Sequence, residues 1–221
     1  MIAEYSQKIC VRESAPISTP PKGKKDPLAS FWKFPCRPND KTPACRWKEH
    51  ANQQASFDPT RFNTGIPTGS RNNLLFVDLD IKDDGVTEFG KYIQAFGKPQ
   101  TMHVVTPSGG EHYYFNYSHT DSGTQELIKT FLNNSTKFRG KGIDIRSEGG
   151  YIVGPPSTRD GRPYALTSMT SPCDIPLSLV AWLLEGSAGS SPTKKGAKGT
   201  RVARAGAEPS EKKNNRNMST N

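Results

Sequence analysis

The central part of this chain is predicted to adopt an α+β fold: an antiparallel sheet covered on one face by helices. Two observations carry the prediction. Short strand-like runs meet at tight glycine-rich turns, and helical apolar spacings fall between those runs rather than after them. Residues 1–27, with Pro16-Ile17-Ser18-Thr19-Pro20-Pro21-Lys22-Gly23-Lys24-Lys25, read as a flexible leader. Arg46–Ala51 reads as a short helix, and Leu74–Ile81 as a strand. Val86, Phe89, Ile93 and Phe96 keep helical spacing and predict an amphipathic helix over 85–96. Met102–Thr106 and Glu111–Tyr117 predict a hairpin across Pro107-Ser108-Gly109-Gly110. Leu127, Ile128, Phe131 and Leu132 form the stripe of a helix near 123–133. Gly142–Arg146 and Tyr151–Val153 predict a second hairpin across Ser147-Glu148-Gly149-Gly150. Asp174 is the expected cap of a last helix, with Pro176 in its first turn and Gly186 just past its end.

Composition limits the partners. The chain has 221 residues, 33% of them hydrophobic, and a net charge of +9. The charge is unevenly spread: from Ser187 to Asn221, eight Lys/Arg face two Glu, a net of +6. That segment has almost no large apolar residue, so 187–221 is expected to be a disordered basic tail beyond a domain over 28–186. Such a tail serves as a linker or as a non-specific nucleic-acid tether. No apolar run approaches the roughly 20 residues that span a bilayer. Met1–Ser6 has no signal-peptide core, so a soluble, intracellular protein with no membrane partner is expected. Cys36, Cys45 and His50 lack a fourth partner and the tight spacing of zinc sites; zinc is not expected, and reduced thiols are.

Leu75-Phe76-Val77-Asp78-Leu79-Asp80-Ile81 is the most informative segment. Strand alternation puts Leu75, Val77, Leu79 and Ile81 on one face, Asp78 and Asp80 on the other. Their Cβ atoms would stand about 6.5–7 Å apart. Two anions so close repel, and a hard divalent cation such as Mg²⁺ or Mn²⁺ relieves that cost. The competing reading is two exposed aspartates at a strand end. A second cluster is Thr106-Pro107-Ser108-Gly109-Gly110-Glu111-His112. Its glycines let backbone N–H groups approach an anion, its hydroxyls add donors, and His112 opens the next strand beside it. It also reads as a plain turn followed by a surface histidine. The third is Gly142-Ile143-Asp144-Ile145-Arg146, in which Asp144 is a third candidate metal ligand and Arg146 offers a forked donor set for phosphate. A solvated Asp–Arg pair is its ordinary reading.

These three clusters, in this order, resemble the bifunctional primase–polymerase (Prim-Pol) family of the archaeo-eukaryotic primase superfamily, common in viruses, phages and plasmids. The third cluster continues the likeness through Ser147-Glu148-Gly149-Gly150-Tyr151-Ile152-Val153-Gly154-Pro155-Pro156-Ser157. Lys41-Thr42-Pro43 followed by Trp47, and Asn63-Thr64-Gly65-Ile66-Pro67-Thr68-Gly69, match its N-terminal part. The likeness covers roughly residues 30–185, and the ordered set is more specific than any one motif.

The resemblance implies an RNA-recognition-motif-like sheet core joined to a small N-terminal αβ unit. It implies Asp78, Asp80 and Asp144 as catalytic ligands of two divalent ions. Ser108, Gly109, Gly110, His112 and Arg146 would bind the triphosphate of the incoming nucleotide. The implied chemistry is attack of a 3′-hydroxyl on the α-phosphate of a nucleoside triphosphate, with loss of pyrophosphate. The implied partners are single-stranded or primed DNA and nucleoside triphosphates; the chain departs from many relatives in that no helicase domain follows, so the expectation is either a separate replicative helicase or one half of a split gene. The residues themselves leave other readings open. Asp80-Ile81-Lys82 matches the end of a metal-dependent nuclease motif, and Asp-x-Asp also holds nucleotide-sugars in glycosyltransferases. A non-catalytic nucleic-acid-binding accessory would rely on the tail alone.

Overall fold

The computed structural model describes residues 28–50 and 57–186. The leader over 1–27 and the tail over 187–221 lie outside the described residues. The architecture is α+β, and its centre is an antiparallel sheet built from five strands in the order β10-β4-β5-β3-β6. In chain order these are β3 (Leu74–Leu79), β4 (Met102–Val105), β5 (Glu111–Asn116), β6 (Ile143–Arg146) and β10 (Ala165–Ser168). The short β11 (Cys173–Asp174) adds to β5 in parallel. A second sheet, β1-β2-β7, joins β1 (Phe34–Cys36), β2 (Asn63–Pro67) and β7 (Tyr151–Gly154). The hairpin β8 (Thr158–Arg159) and β9 (Arg162–Pro163) stands apart.

Alternation along β3 sorts its side chains into two cores. Leu75, Val77 and Leu79 join Tyr113, Phe115, Ile143 and Ile145 against three helices. These are α2 (Gly85–Phe96), α3 (Ser122–Phe131) and α4 (Leu177–Glu185). Phe76 points the other way and joins Tyr114, Met102 and Val104 against Phe34, Ile66, Ile152 and Val153. The expected helical cover on one face is present. The opposite face is not an open polar surface: the small sheet covers it at Phe76 and Tyr114, whose rings meet edge-on at 4.2 Å. The row beside that apolar patch carries His112, Asp78 and Asp144, and Arg146 stands opposite Phe76 at the edge of the patch.

The helix over 85–96 forms at the residues its spacing marks. Asp84 precedes it in a left-handed conformation (φ 59°). Gly85 is required there, since a Cβ would stand 2.0 Å from the Gly142 carbonyl oxygen and 2.9 Å from that of Asp80. This contact holds the end of β3 against the start of β6. At α3, the Asp121 side chain accepts the Thr124 N–H at 2.7 Å, a standard N-cap. The short N-terminal helix, α1, is Trp47–His50.

Two local expectations are corrected. Gly142–Arg146 and Tyr151–Val153 do not form a hairpin. β6 pairs with β3 in the large sheet and β7 with β2 in the small one, so the chain crosses between layers at Ser147–Gly150. Both strands find apolar partners on different layers, and the crossing is held by Asn134. Its Oδ1 accepts the Ser147 N–H at 2.9 Å, and its Nδ2 donates to the Glu148 carbonyl at 2.6 Å. Asp174 does not cap α4. Its carboxylate accepts from Asn116 at 2.8 Å and from the Thr120 hydroxyl at 2.7 Å, while Pro176 takes the cap position and Gly186 closes the helix. Among the described residues, no helix is long and apolar enough to cross a membrane. Cys36, Cys45 and Cys173 carry free thiols, and burial, with Cys45 and Asp40 nearby, pushes the Cys36 thiol up to about 12.

Candidate functional site

The register of the large sheet brings distant polar residues into one row. Asp78 on β3 lies opposite His112 on β5 and opposite Asp144 on β6. Side chains opposite each other across strands share a face. His112, Asp78 and Asp144 therefore stand side by side, with Arg146 two residues along β6 on the same face. The row ends where the small sheet stops covering the large one.

A cleft of about 460 Å³ opens at that edge. Asp78, His112 and Arg146 line it together with Lys41, Lys48, Trp47, Tyr151, Tyr164 and Asn134. His112 is 3% exposed, and its Nε2 lies 3.3 Å from Asp78 Oδ1. Its Nδ1 has no hydrogen-bond partner among the described residues. Arg146 Nη2 donates to Asp144 Oδ2 at 2.9 Å, and the Lys137 backbone N–H donates to Asp144 Oδ1 at 3.0 Å.

The carboxylates differ electrostatically. Burial pushes the Asp78 carboxyl up, but His112, Lys41 and Arg146 outweigh it and hold the group below its usual range. For Asp144 burial prevails. The Lys137 N–H and Arg146 pull its carboxyl down, Asp78 and Asp80 push it up, and the result lies above the usual range. Asp80 is thus part of the same field, though it stands past the end of β3, is exposed, and has Oδ1 turned to the Lys82 backbone N–H at 2.8 Å. Burial and the charge of Asp78 also push the phenol of Tyr114 up. That hydroxyl is fully buried and unpaired among the described residues.

Carboxylate oxygens such as those of Asp78, Asp80 and Asp144 have the chemistry that suits Mg²⁺ or Mn²⁺, while the raised Asp144 carboxyl reflects its burial first and the charges of Asp78 and Asp80 only in smaller part. Among the described residues, no three His, Cys, Asp or Glu are arranged to hold a metal. Asp144 has its oxygens on Lys137 and Arg146 instead.

The predicted site residues are only partly gathered. Asp78, His112 and Asp144 share the row, Arg146 stands two residues along β6 on the same face opposite Phe76, and Asp80 adjoins the row past the end of β3. Ser108, Gly109 and Gly110 form the β4–β5 turn at the end of β3. Ser108 Oγ meets Thr106 Oγ1 at 3.1 Å. Gly109 adopts φ 88°, and a Cβ on Gly110 would stand 2.4 Å from the Leu79 carbonyl oxygen. Their evident work is to close the turn tightly enough to seat His112 beside Asp78. Lys48, Asn134, Tyr151 and Tyr164 were not singled out from the sequence as site residues. Lys41 and Trp47 entered only through the N-terminal part of the resemblance. No local pattern marks Asn134 or Tyr164; each reaches the cleft through a connection between elements.

A family model described as bifunctional DNA primase/polymerase, N-terminal, matches residues 24–178, more than half of the chain. No curated protein matches it.

Proposed function

This chain belongs to the bifunctional DNA primase/polymerase N-terminal family, and on that premise we propose that its cleft performs template-directed nucleotidyl transfer in DNA replication. In the reaction, a 3′-hydroxyl attacks the α-phosphate of a nucleoside triphosphate and pyrophosphate leaves. The observation that carries this reading is the row His112–Asp78–Asp144 on three adjacent strands, of which His112 and Asp78 line a cleft of nucleotide size together with Lys41, Lys48 and Arg146.

Asp78, Asp144 and Asp80 would hold Mg²⁺ or Mn²⁺, which when bound neutralises the triphosphate and favours the ionised 3′-oxygen. Arg146 sits where its guanidinium can exchange Asp144 for a phosphate oxygen, a bidentate partner of matching shape. Lys41 and Lys48 add positive charge at the mouth. His112 is held through Nε2 by Asp78, and its buried Nδ1, without a partner among the described residues, would meet a phosphate only when the ring turns toward the cleft. The Ser108–Gly110 turn acts through His112. An RNA-recognition-motif-like arrangement of the large sheet is part of the same reading, as is binding of single-stranded or primed DNA.

Primer extension on a DNA template is the direct test. The wild-type protein should extend a primer with Mg²⁺ or Mn²⁺ and stop when EDTA is added. Asp78→Asn should lose extension at least 100-fold, a typical cost of removing a charged group that stabilises a transition state, while its circular dichroism stays unchanged. Metal-dependent cleavage without extension would transfer the site to the nucleases.

A further inference from the structure

We propose that the Trp47–Tyr151 wall is the nucleobase subsite of the cleft, with Trp47 stacking on the base of a nucleoside triphosphate. The inference rests on the nucleotidyl-transfer reading above. Trp47 is fixed from behind by Phe34, stacked at 5.1 Å and 9°. Tyr151 meets both rings edge-on, at 5.3 Å from Phe34 and 5.4 Å from Trp47. The Tyr151 hydroxyl donates to the Lys41 carbonyl at 3.1 Å, which ties this wall to the β1–α1 connection. Phe34 itself is 1% exposed and belongs to the core, yet Trp47 remains half-buried and lines the cleft.

A rigidly backed indole, open to a cleft with cations beside it, is the arrangement that binds bases by stacking and phosphates by charge. The cations are in place. Lys48 Nζ lies over the Trp47 ring, 5.6 Å from its centre, and would swing aside toward the phosphates for a base to stack there; the charge of Lys41 is felt at Asp78. The same cleft is lined by both sets of groups: Asp78, His112 and Arg146 would take the metal-bound phosphates, and Trp47 with Tyr151 the base. Its volume of about 460 Å³ suits one nucleotide rather than a strand. A base on Trp47 would make the wall tolerant of base identity, because every base has a π face.

The competing view is that Trp47 only packs the N-terminal sheet. Calorimetric titration of the full chain separates the two, with Mg²⁺ present and two probes: a deoxynucleoside triphosphate and inorganic triphosphate, which has no base. Trp47→Ala should bind the nucleotide about 5- to 100-fold more weakly, bind inorganic triphosphate as the wild type does, and recover nucleotide affinity in Trp47→Phe. Equal loss of both probes would assign Trp47 to packing and overturn the proposal. So would unchanged nucleotide binding, or a loss confined to a single-stranded oligonucleotide, which would put the strand's base there. A wild-type protein that binds inorganic triphosphate but shows no gain from the nucleoside overturns the subsite alone. One that binds neither probe overturns the nucleotidyl-transfer reading with it.

Discussion

Asp78 and Asp144 face each other across β3 and β6, yet their carboxyls are displaced in opposite directions. The difference has a thermodynamic signature. Asp78 has a lowered carboxyl in the folded protein, so its ionised form adds stability above the unfolded carboxylate range near 3.9, and that stability is lost as pH falls through the folded value. Asp144 has a raised carboxyl, so its ionised form costs stability at neutral pH, and the cost disappears as pH falls from its raised folded value to the unfolded value near 3.9. In metal-free buffer at pH 7, Asp144→Asn should therefore melt higher than the wild type and Asp78→Asn lower, by about 2–4 °C for each kcal/mol involved. Both differences should shrink toward pH 3. Melting curves at the two pH values check this, and shifts of the same sign would refute it. A carboxylate retained against stability is what a site kept for a cation would show.

At the scale of elements, the site depends on how tightly three strand ends meet. Gly110 lies against the Leu79 carbonyl, and Gly85 against those of Gly142 and Asp80. An added methyl group at Gly110 meets backbone, which cannot rotate away, so β5 must shift relative to β3. Gly110→Ala should cost about 1–3 kcal/mol of stability without any nucleotide present, as measured by urea unfolding. If the variant is as stable as the wild type but binds triphosphate poorly, the turn contacts phosphate directly. The α2 helix and the β4–β5 hairpin were legible because their signals are local: helical spacing in one, paired alternation around Ser108-Gly109-Gly110 in the other. The crossing at Ser147–Gly150 was not legible. Its turn residues look like those of a hairpin, and only the pairing of β6 with β3 and β7 with β2 separates the two strands. Asp174 misled for a similar reason. Its side chain suits an N-cap, but Asn116 and Thr120, distant in sequence, use its oxygens.

For the whole molecule, most of the net positive charge belongs to the segment after Gly186. Removing residues 187–221 takes away +6. The truncated protein should melt at the same temperature as the full chain, and should bind single-stranded DNA more weakly at low salt, with the difference closing as salt rises. Anisotropy titrations over a salt series measure it, and equal affinities throughout would make the segment a linker. The sequence by itself determined the α+β class and the alternation along β3 that turns Asp78 away from Leu75, Val77 and Leu79, because pleat and helix period follow from local sterics and are written in each segment. Only the tertiary structure decided that Asp78 stands between His112 and Asp144, that a second sheet covers half of that face, and that Trp47, Tyr151 and Tyr164 wall the cleft. Those facts depend on register and layering between distant segments, which are set by which apolar surfaces bury one another, and no local period encodes that choice.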